Sequence, residues 1–289
     1  MKKFESKIIL GDIINELSKL DKSQKFDIII IDPPYNIGKD FGNNLDTMPL
    51  EEYIGWSKKW LDLCFELLAD NGLIYVYGFI EILARIAVLY PIDKQRILAW
   101  HYTNKTTPAA TFWQRSYESI LCLWKNDKPK LEINQIREPY TDTYKKFAGK
   151  ERASTKGRFG NKTTIYNVHE EGALPRDVIK IPALAGGAGC TERNFICYTC
   201  GGDFYLAKEI KRHKGHDILQ HPTQKPMALS EKLIKSRING NGGRILVPFA
   251  GSGSECVVAQ KLGIEFLGIE LNPEYVAYAN AWLTRDKEQ

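Results

Sequence analysis

No stretch of apolar residues in this chain approaches the roughly 20 that a membrane-spanning helix needs. The first residues, Met-Lys-Lys-Phe-Glu-Ser, are not followed by the apolar segment of a secretory signal peptide. These two absences argue against a membrane span and against secretion. We therefore expect a protein that stays in the cytoplasm.

Cysteine is scarce and scattered. The 6 cysteines in 289 residues stand at positions 64, 122, 190, 197, 200 and 256, and only one pair has the Cys-x-x-Cys spacing. This pattern excludes the disulfide framework of a small secreted protein. Internal repeats and low-complexity tracts are also absent, and the 43% of hydrophobic residues suffices for one large domain, alone or with an insert.

The most informative feature that is present is a strand followed by Asp32-Pro33-Pro34-Tyr35. Residues 26–31 read Phe-Asp-Ile-Ile-Ile-Ile, which predicts a buried strand of a parallel sheet. Two prolines end the strand because neither can donate to a sheet ladder. The Asp32 carboxylate and the Pro33 carbonyl could accept hydrogen bonds from a planar amine, such as a nucleobase, stacked on Tyr35. Taken alone, the four residues also fit a simple capped turn.

A second strand leads into a glycine turn. Residues 244–250 are predicted to form this strand, Gly251-Ser252-Gly253 the turn, and residues 254–262 a helix. A further strand over 266–269 ends at Glu270, which is placed to accept hydrogen bonds from ribose hydroxyls. Position 256 is cysteine rather than glycine, so the full dinucleotide fingerprint is absent. A nucleoside cofactor without a pyrophosphate fits this pattern better.

Strands and helices alternate along most of the chain. This alternation predicts an α/β fold with a doubly wound, mostly parallel sheet. The remaining strands are expected at 8–10, 73–77, 96–102 and 119–124, and the remaining helices at 13–20, 50–68, 80–89, 226–238 and 273–283. Residues 126–219 break this rhythm. We therefore predict a catalytic domain formed by 1–125 and 220–289, with 126–219 as an inserted recognition region.

Three motifs together resemble one enzyme family. They are Asp-Pro-Pro-Tyr at 32–35, His-Pro-Thr-Gln-Lys-Pro at 221–226 and Phe-Ala-Gly-Ser-Gly-Ser at 249–254. In this order the chain resembles the permuted, beta-class amino DNA methyltransferases that use S-adenosylmethionine. The resemblance covers roughly residues 7–125 and 220–283. Glutamine-modifying protein methyltransferases and several RNA methyltransferases carry Asn-Pro-Pro-Tyr after their glycine loop, so the motif order argues against them.

The resemblance implies a Rossmann-like class I methyltransferase fold and two groups of site residues. The catalytic group is Asp32, Pro33, Pro34 and Tyr35. The group implied for S-adenosylmethionine is Asp12 on the adenine side, Thr223 and Lys225 at the amino-acid carboxylate, and Phe249, Ala250, Gly251, Ser252, Gly253, Ser254, Glu270, Leu271 and Asn272. Direct methyl transfer, with the target base flipped out of double-stranded DNA, is the expected reaction.

The identity of the target base stays open at this point. In this family Asp-Pro-Pro-Tyr goes mostly with the N6 of adenine, and Ser-Pro-Pro-Tyr with the N4 of cytosine. Adenine is therefore the main expectation and cytosine the alternative. A catalytically silent DNA-binding subunit and an RNA substrate are two further alternatives. No endonuclease motif is evident, so restriction would need a separate partner, and the oligomeric state, a homodimer included, is undetermined.

The predicted insert carries the excess positive charge. Residues 126–219 hold 17 Lys and Arg against 12 Asp and Glu, whereas the rest of the chain is neutral. The segment 141–164 is the most basic part and has interleaved aromatic residues, which favours a DNA phosphate contact over an ordinary solvated loop. The candidate DNA-binding residues are Lys145, Lys146, Lys150, Arg152, Lys156, Arg158 and Lys162.

The insert also contains a candidate zinc site. Cys197 and Cys200 are followed by His213 and His216, and these four side chains are potential tetrahedral zinc ligands. The His–His spacing is shorter than is usual in zinc fingers, and Cys190 could replace one histidine. A chance Cys-x-x-Cys beside a basic loop is the alternative.

Overall fold

A computed structural model describes residues 4–38, 46–104, 111–152, 164–184, 192–240 and 242–287. The helices of this part are α1 Ile13–Lys19, α2 Leu50–Leu67, α3 Ile80–Ala87, α4 Asp142–Lys146, α5 Met227–Lys235, α6 Ser254–Lys261 and α7 Pro273–Lys287. Short 3-10 helices span Ile92–Lys94, Ile133–Ile136, Tyr198–Cys200 and Ala207–His213.

The strands of the described part fall into three sheets. They are β1 Lys7–Leu10, β2 Phe26–Ile31, β3 Leu68–Gly78, β4 Gln95–His101, β5 Tyr117–Leu123, β6 Glu151–Arg152, β7 Thr164–Ile165, β8 Val178–Lys180, β9 Asn194–Cys197, β10 Asp203–Leu206, β11 Ile218–Leu219, β12 Arg244–Val247 and β13 Glu265–Glu270. The largest sheet has eight strands in the order β1-β13-β12-β2-β3-β5-β4-β8. Within it β5 alone runs against the others. The predicted mostly parallel α/β sheet is confirmed.

Strand β2 lies in the middle of this sheet and is buried on both faces. Ile28 and Ile30 pack into one core layer, which α5, α6 and α7 cover. Ile29 and Ile31 pack into the opposite layer, which α1, α2 and α3 cover. Because successive side chains of a strand point to opposite faces, a continuous apolar run suits this position, as the sequence predicted.

Helix α7 continues to Lys287 rather than ending at 283, and β12 ends at Val247 rather than at 250. Two other boundaries also differ from the sequence prediction. Strand β3 begins at Leu68 rather than at residue 73, because Leu68 already pairs with Phe26 before an irregularity in the register. Helix α5 ends at Lys235 rather than at 238. At this end the backbone N–H of Ser236 bonds to the carbonyls of Lys232 and Leu233. Neither difference moves a motif.

The predicted insert is joined to the main sheet. Strand β8 lies within it and pairs with β4 at the edge of that sheet. Strands β9, β10 and β11 form a separate antiparallel sheet, and β6 and β7 form a two-stranded ribbon. The division of the chain at 126 and 219 stays a proposal. None of the helices in the described ranges has the length and apolar character needed to cross a membrane.

Candidate active site

The sheet brings the two main motifs side by side. Strand β12 pairs in parallel with β2, with Ile245 opposite Ile28 and Leu246 opposite Ile29. Both strands therefore end at the same edge, where open α/β sheets bind their ligands. One cavity of about 430 Å³ opens there, and residues 32–35 and 248–252 both line it. This volume lies within the range of about 300–1,000 Å³ that is typical of small-molecule sites.

The turn after β12 needs glycine for its backbone conformation. Gly251 has a φ of +50° and Gly253 a φ of +79°. A Cβ on Gly251 would lie 2.9 Å from His221 Nε2, and one on Gly253 would lie 2.7 Å from the Cβ of Ala279. The turn therefore packs tightly against its neighbours as it leads into α6. Backbone N–H groups at such a turn can meet a ligand directly.

Glu270 forms the other side of this end of the cavity. Its carboxylate accepts hydrogen bonds from the backbone N–H groups of Gly251 at 2.8 Å and Asn272 at 2.9 Å. Burial raises the pKa of Glu270, although these N–H groups oppose the shift. Each carboxylate oxygen has a second lone pair, so both can still accept hydrogen bonds from ribose hydroxyls.

Asp12 lies beside Glu270 through strand pairing. Strand β1 pairs with β13, so that Leu10 is opposite Glu270, and the N–H of Gly11 bonds to the Glu270 carbonyl at 2.9 Å. Asp12 then caps α1 by accepting from the N–H of Asn15. Its side chain also lines the cavity. Strand pairing thus brings Asp12 to the same edge as Glu270, and its contact with the cofactor stays a prediction.

Most of the other predicted cofactor residues line the same cavity. They are Thr223, Lys225, Phe249, Ala250, Ser252, Ser254 and Leu271. Gly253 and Asn272 are not lining residues. Gly253 packs behind the turn, and Asn272 contributes through its bond to Glu270.

The other end of the cavity is built around Asp32. Its Oδ1 lies 2.9 Å from the hydroxyl of Tyr35, and its Oδ2 lies 2.6 Å from Nζ of Lys225. The Asp32 side chain is only 18% exposed and that of Lys225 only 6%. Lys225 therefore forms a buried ion pair with Asp32. The sequence suggested a cofactor carboxylate as its partner, whereas the structure places its ammonium group on the catalytic motif.

Glu118 also belongs to this end of the cavity. The Tyr35 hydroxyl lies 2.9 Å from Glu118 Oε2, and the Tyr102 hydroxyl donates to Glu118 Oε1. Tyr35 has one hydroxyl proton, so it donates to Asp32 or to Glu118 but not to both at once. The Tyr35 hydroxyl is thus within hydrogen-bond distance of two carboxylates, Asp32 and Glu118, and Tyr102 bonds to the second of them.

Burial and charge together set the protonation of this network. Burial raises the pKa of Asp32, and the Lys225 ammonium opposes that rise while Glu118 adds to it. Burial disfavours the charge on Lys225, but the Asp32 and Glu118 carboxylates outweigh it and raise the pKa of Lys225. Burial and the two carboxylates raise the pKa of Tyr35 well above its usual value. Lys225 therefore stays charged and Tyr35 stays protonated.

The backbone around the Asp-Pro-Pro-Tyr motif is held by polar side chains. Asn36 has a φ of +57°, a conformation that asparagine tolerates better than most residues. Its side chain exchanges hydrogen bonds with the backbone of Met48, at 2.8 and 2.7 Å. The buried Tyr53 hydroxyl donates to the Pro34 carbonyl at 2.5 Å. The chain is thereby fixed on both sides of Tyr35.

Sequence reasoning missed Glu118 and Glu255. Glu118 lies at the start of β5, and the reversed direction of that strand brings its first residues to the carboxyl-end edge of the parallel strands. Glu255 lies in the first turn of α6, where it accepts from the Ser230 and Ser254 hydroxyls at 3.1 and 2.8 Å. Burial, helped by Asp32, raises the pKa of Glu255. A carboxylate directly after a glycine turn was the available signal for Glu255.

The predicted DNA-binding residues lie away from this network wherever the structure describes them. Lys145 and Lys146 are exposed in α4, and Lys150 is exposed just after it. The backbone of Arg152 lies in β6, and its side chain is not among those that the structure describes. Lys156, Arg158 and Lys162 lie outside the described residues. The DNA contact by this segment stays a prediction.

The four predicted metal ligands do come together. The donor atoms of Cys197, Cys200, His213 and His216 all lie within 4.8 Å of one another. Cys190, the alternative ligand, is outside the described residues.

Comparisons with known proteins point to one family. A family model described as DNA methylase, covering N6 and N4 methyltransferases, matches residues 26–281. The DNA adenine methyltransferase YhdJ of Escherichia coli K12 is 30% identical over 93% of this chain and 79% of its own length. The type II methyltransferase M.HpaI of Haemophilus parainfluenzae is 27% identical over 95% of this chain and 73% of its own length.

Two solved structures share the fold. The PvuII DNA methyltransferase, which is cytosine-N4-specific, has a TM-score of 0.61 at 15% identity and covers 99% of this chain and 94% of its own. The M1.HpyAVI complex with S-adenosylmethionine has a TM-score of 0.54 at 20% identity, over 96% of this chain and 98% of its own. At these identities the likeness concerns the fold alone.

Proposed function

The chain belongs to the N6/N4 DNA methylase family, and from this premise we propose that it methylates the N6 of adenine in double-stranded DNA. The observation that carries the proposal is the partly buried Asp32–Tyr35 pair in the cavity that the glycine turn also lines. The name of YhdJ, an adenine methyltransferase, supports adenine as the base.

The cofactor is S-adenosylmethionine, and the residues of the glycine-turn end fit it. Glu270 offers carboxylate oxygens for ribose hydroxyls, and Asp12 lies beside it. Arg193 and Thr223 line the cavity, and they are the cationic and hydroxyl groups proposed for the amino-acid carboxylate because Lys225 is engaged with Asp32. When bound, the cofactor supplies an electrophilic methyl group.

Asp32 has the capacity to bind the target amine. A carboxylate has about four lone-pair sites, and Tyr35 and Lys225 use two of them. The other two can accept hydrogen bonds from the exocyclic amino group. Such bonds would stabilise the positive charge that develops on the nitrogen as its lone pair attacks the methyl carbon, while the methyl–sulfur bond of the cofactor breaks and its electron pair stays on sulfur as a neutral thioether. The nitrogen then loses one proton, which Asp32 is placed to receive.

The target base must leave the DNA helix to reach this position. The side chains of Asp32 and Lys225 are almost enclosed by protein, so a base stacked in a duplex cannot contact them. A base that is flipped out of the duplex into the cavity would be able to contact Asp32. The name of M.HpaI, a type II methyltransferase, supports the further proposal that a separate restriction endonuclease recognises the same site.

The test is methylation of an unmethylated plasmid with labelled S-adenosylmethionine, followed by chromatography of the nucleosides. Labelled N6-methyl-2′-deoxyadenosine is the expected product, and Asp32→Ala protein is the negative control. Labelled N4-methyl-2′-deoxycytidine would show that the target base is cytosine rather than adenine. Label in RNA but not in DNA would overturn the proposed substrate.

A further inference from the structure

Four potential metal ligands converge outside the active site. Cys197 ends β9 and Cys200 ends the 3-10 helix that follows it. His213 ends the 3-10 helix Ala207–His213, and His216 lies three residues later. All four donor atoms lie within 4.8 Å of one another.

Three sulfur–nitrogen distances between these atoms match a tetrahedral zinc site. His216 Nδ1 lies 3.4 Å from the sulfurs of both cysteines, and His213 Nδ1 lies 3.6 Å from the Cys200 sulfur. Zinc bonds of about 2.3 Å to sulfur and about 2.0–2.1 Å to nitrogen, at a tetrahedral angle, require sulfur–nitrogen separations of about 3.5 Å. Two thiolates and two imidazoles are also a donor set that zinc prefers.

The backbone between the ligands is shaped to hold them together. Gly201 and Gly202 have φ values of +95° and +86°, and the N–H of Gly202 returns to the Cys197 carbonyl at 2.9 Å. The open space around both glycines shows that the turn itself, and not crowding, favours glycine. The N–H of Asp217 bonds to the Thr199 hydroxyl at 2.9 Å, which ties the histidine segment to the cysteine turn.

Neighbouring aromatic rings fix the orientation of His213. Its ring centroid lies 4.1 Å from that of Tyr205 and 5.1 Å from that of Phe195. His213 and Cys197 are both buried. The three strands around them contain only ten residues in total, which is too little for a large apolar core. Small modules of this kind gain their stability from a bound metal.

The same module is bonded to the wall of the active-site cavity. The Arg193 guanidinium donates to the carbonyls of His221 and Pro222 at 3.2 and 3.3 Å. The Gln224 amide donates to the Glu192 carbonyl at 3.1 Å, and the Tyr278 hydroxyl donates to the Asn194 carbonyl at 2.9 Å. The segment 192–194 at the start of β9 thus supports the segment 221–226, which carries Lys225.

We propose that Cys197, Cys200, His213 and His216 bind one Zn²⁺ ion that holds the segment 192–194 against the segment 221–226. The ion is structural, because all four positions around it are filled by protein. The further claim that the ion positions Lys225 for methyl transfer rests on the proposed function. Loss of zinc then loosens the wall of the cavity and slows methyl transfer.

The first experiment measures the metal content of full-length protein made without a polyhistidine tag. One zinc per chain is expected in the wild type, and much less in Cys200→Ser and His216→Ala. His169→Ala is the matched control, since His169 is exposed and outside the cluster, and it should keep its zinc. Wild-type protein without zinc, or variants with unchanged zinc, would overturn the proposal.

A second measurement does not depend on the variants folding. Wild-type protein stripped with a chelator is titrated with Co²⁺, which should give the visible absorption of a tetrahedral site with thiolate ligands. An octahedral spectrum, or none, contradicts the proposed ligand set.

The effect on catalysis is tested by comparing stripped and zinc-restored wild-type protein. We expect a several-fold loss of methyl transfer that zinc reverses. If zinc binds but its removal leaves activity unchanged, the link to Lys225 is wrong and the metal site remains. If the zinc-loaded protein methylates no DNA at all, the proposed function fails independently of the metal site.

Discussion

The two ends of the cavity are lined by different kinds of chemical group. At the glycine-turn end, Gly251 and the Glu270–backbone hydrogen bonds shape the surface, so main-chain groups dominate. At the Asp32 end, ionisable side chains meet one another: Lys225 pairs with Asp32, and the Tyr35 hydroxyl lies between Asp32 and Glu118. The first end is suited to holding a constant cofactor, and the second to changing charge during a reaction.

This difference predicts different responses to mutation. Changes at the glycine-turn end should alter cofactor affinity with little effect on the pH dependence. Changes at the Asp32 end should alter the rate and its pH dependence while cofactor affinity is kept. The four variants below test this separation.

Asp32→Ala should have the largest effect. Without the carboxylate, the developing positive charge on the target nitrogen loses its main stabilising group, and methyl transfer should fall by about 10²–10³-fold or more. Cofactor affinity measured by calorimetry should not change. Asp62→Ala, at an exposed position of α2, is the control and should keep full activity. Full activity of the Asp32 variant would rule out the proposed mechanism.

Lys225→Gln should shift the pH profile of the rate. The Lys225 ammonium lowers the pKa of Asp32 against the effect of burial, so its removal lets that pKa rise further. Because the proposed mechanism uses the ionised carboxylate, the acidic limb should move upward by about one to three pH units. Activity should then recover at higher pH. Lys59→Gln, at an exposed position, should leave the limb in place.

Gly251→Ala should weaken cofactor binding by about tenfold or more. The new Cβ would meet His221 at 2.9 Å in a backbone conformation that alanine disfavours. Gly263→Ala is the matched control, because Gly263 also has a positive φ, of +68°, but has open space around it. That control should lose about 1 kcal/mol of stability through backbone strain alone. Equal cofactor affinity in both variants would contradict the close packing of this turn.

Glu118→Gln should have the smallest effect and the opposite sign to Lys225→Gln. Glu118 raises the pKa of Asp32, so loss of its charge should move the acidic limb downward by less than about one pH unit. The glutamine carbonyl still accepts a hydrogen bond from Tyr35 or Tyr102. A shift of the acidic limb in the same direction as that of Lys225→Gln would mean that the negative charge of Glu118 does not raise the pKa of Asp32.

Local pattern in the sequence was enough for most of the fold. The apolar run of β2, the glycine turn after β12 and the periodicity of α2 depend on neighbouring residues, and they were predicted within a few positions. The extra residues of β3 and the shorter α5 were missed because strand pairing and helix ends depend on contacts with other elements. Strand β8, inside the predicted insert, was missed because its three residues contain no periodicity to detect.

The residues of the site divide in the same way. Asp32, Tyr35, Gly251 and Glu270 were identified because each lies at the end of a recognisable strand or within four residues after it. The ion pair between Lys225 and Asp32 was not predicted, since 193 positions separate the two residues along the chain. Cys197, Cys200, His213 and His216 were found by their spacing, but only the structure shows their donor atoms close together.

The sequence by itself determined most strands of the main sheet, the turns after β2 and β12, and the order of the three motifs. These features are local, because backbone sterics and side-chain period act over a few residues. Only the tertiary structure decided which charges meet at Asp32. The placement of Lys225 and Glu118 depends on strand order and on the reversed direction of β5, which arise from packing across the whole sheet.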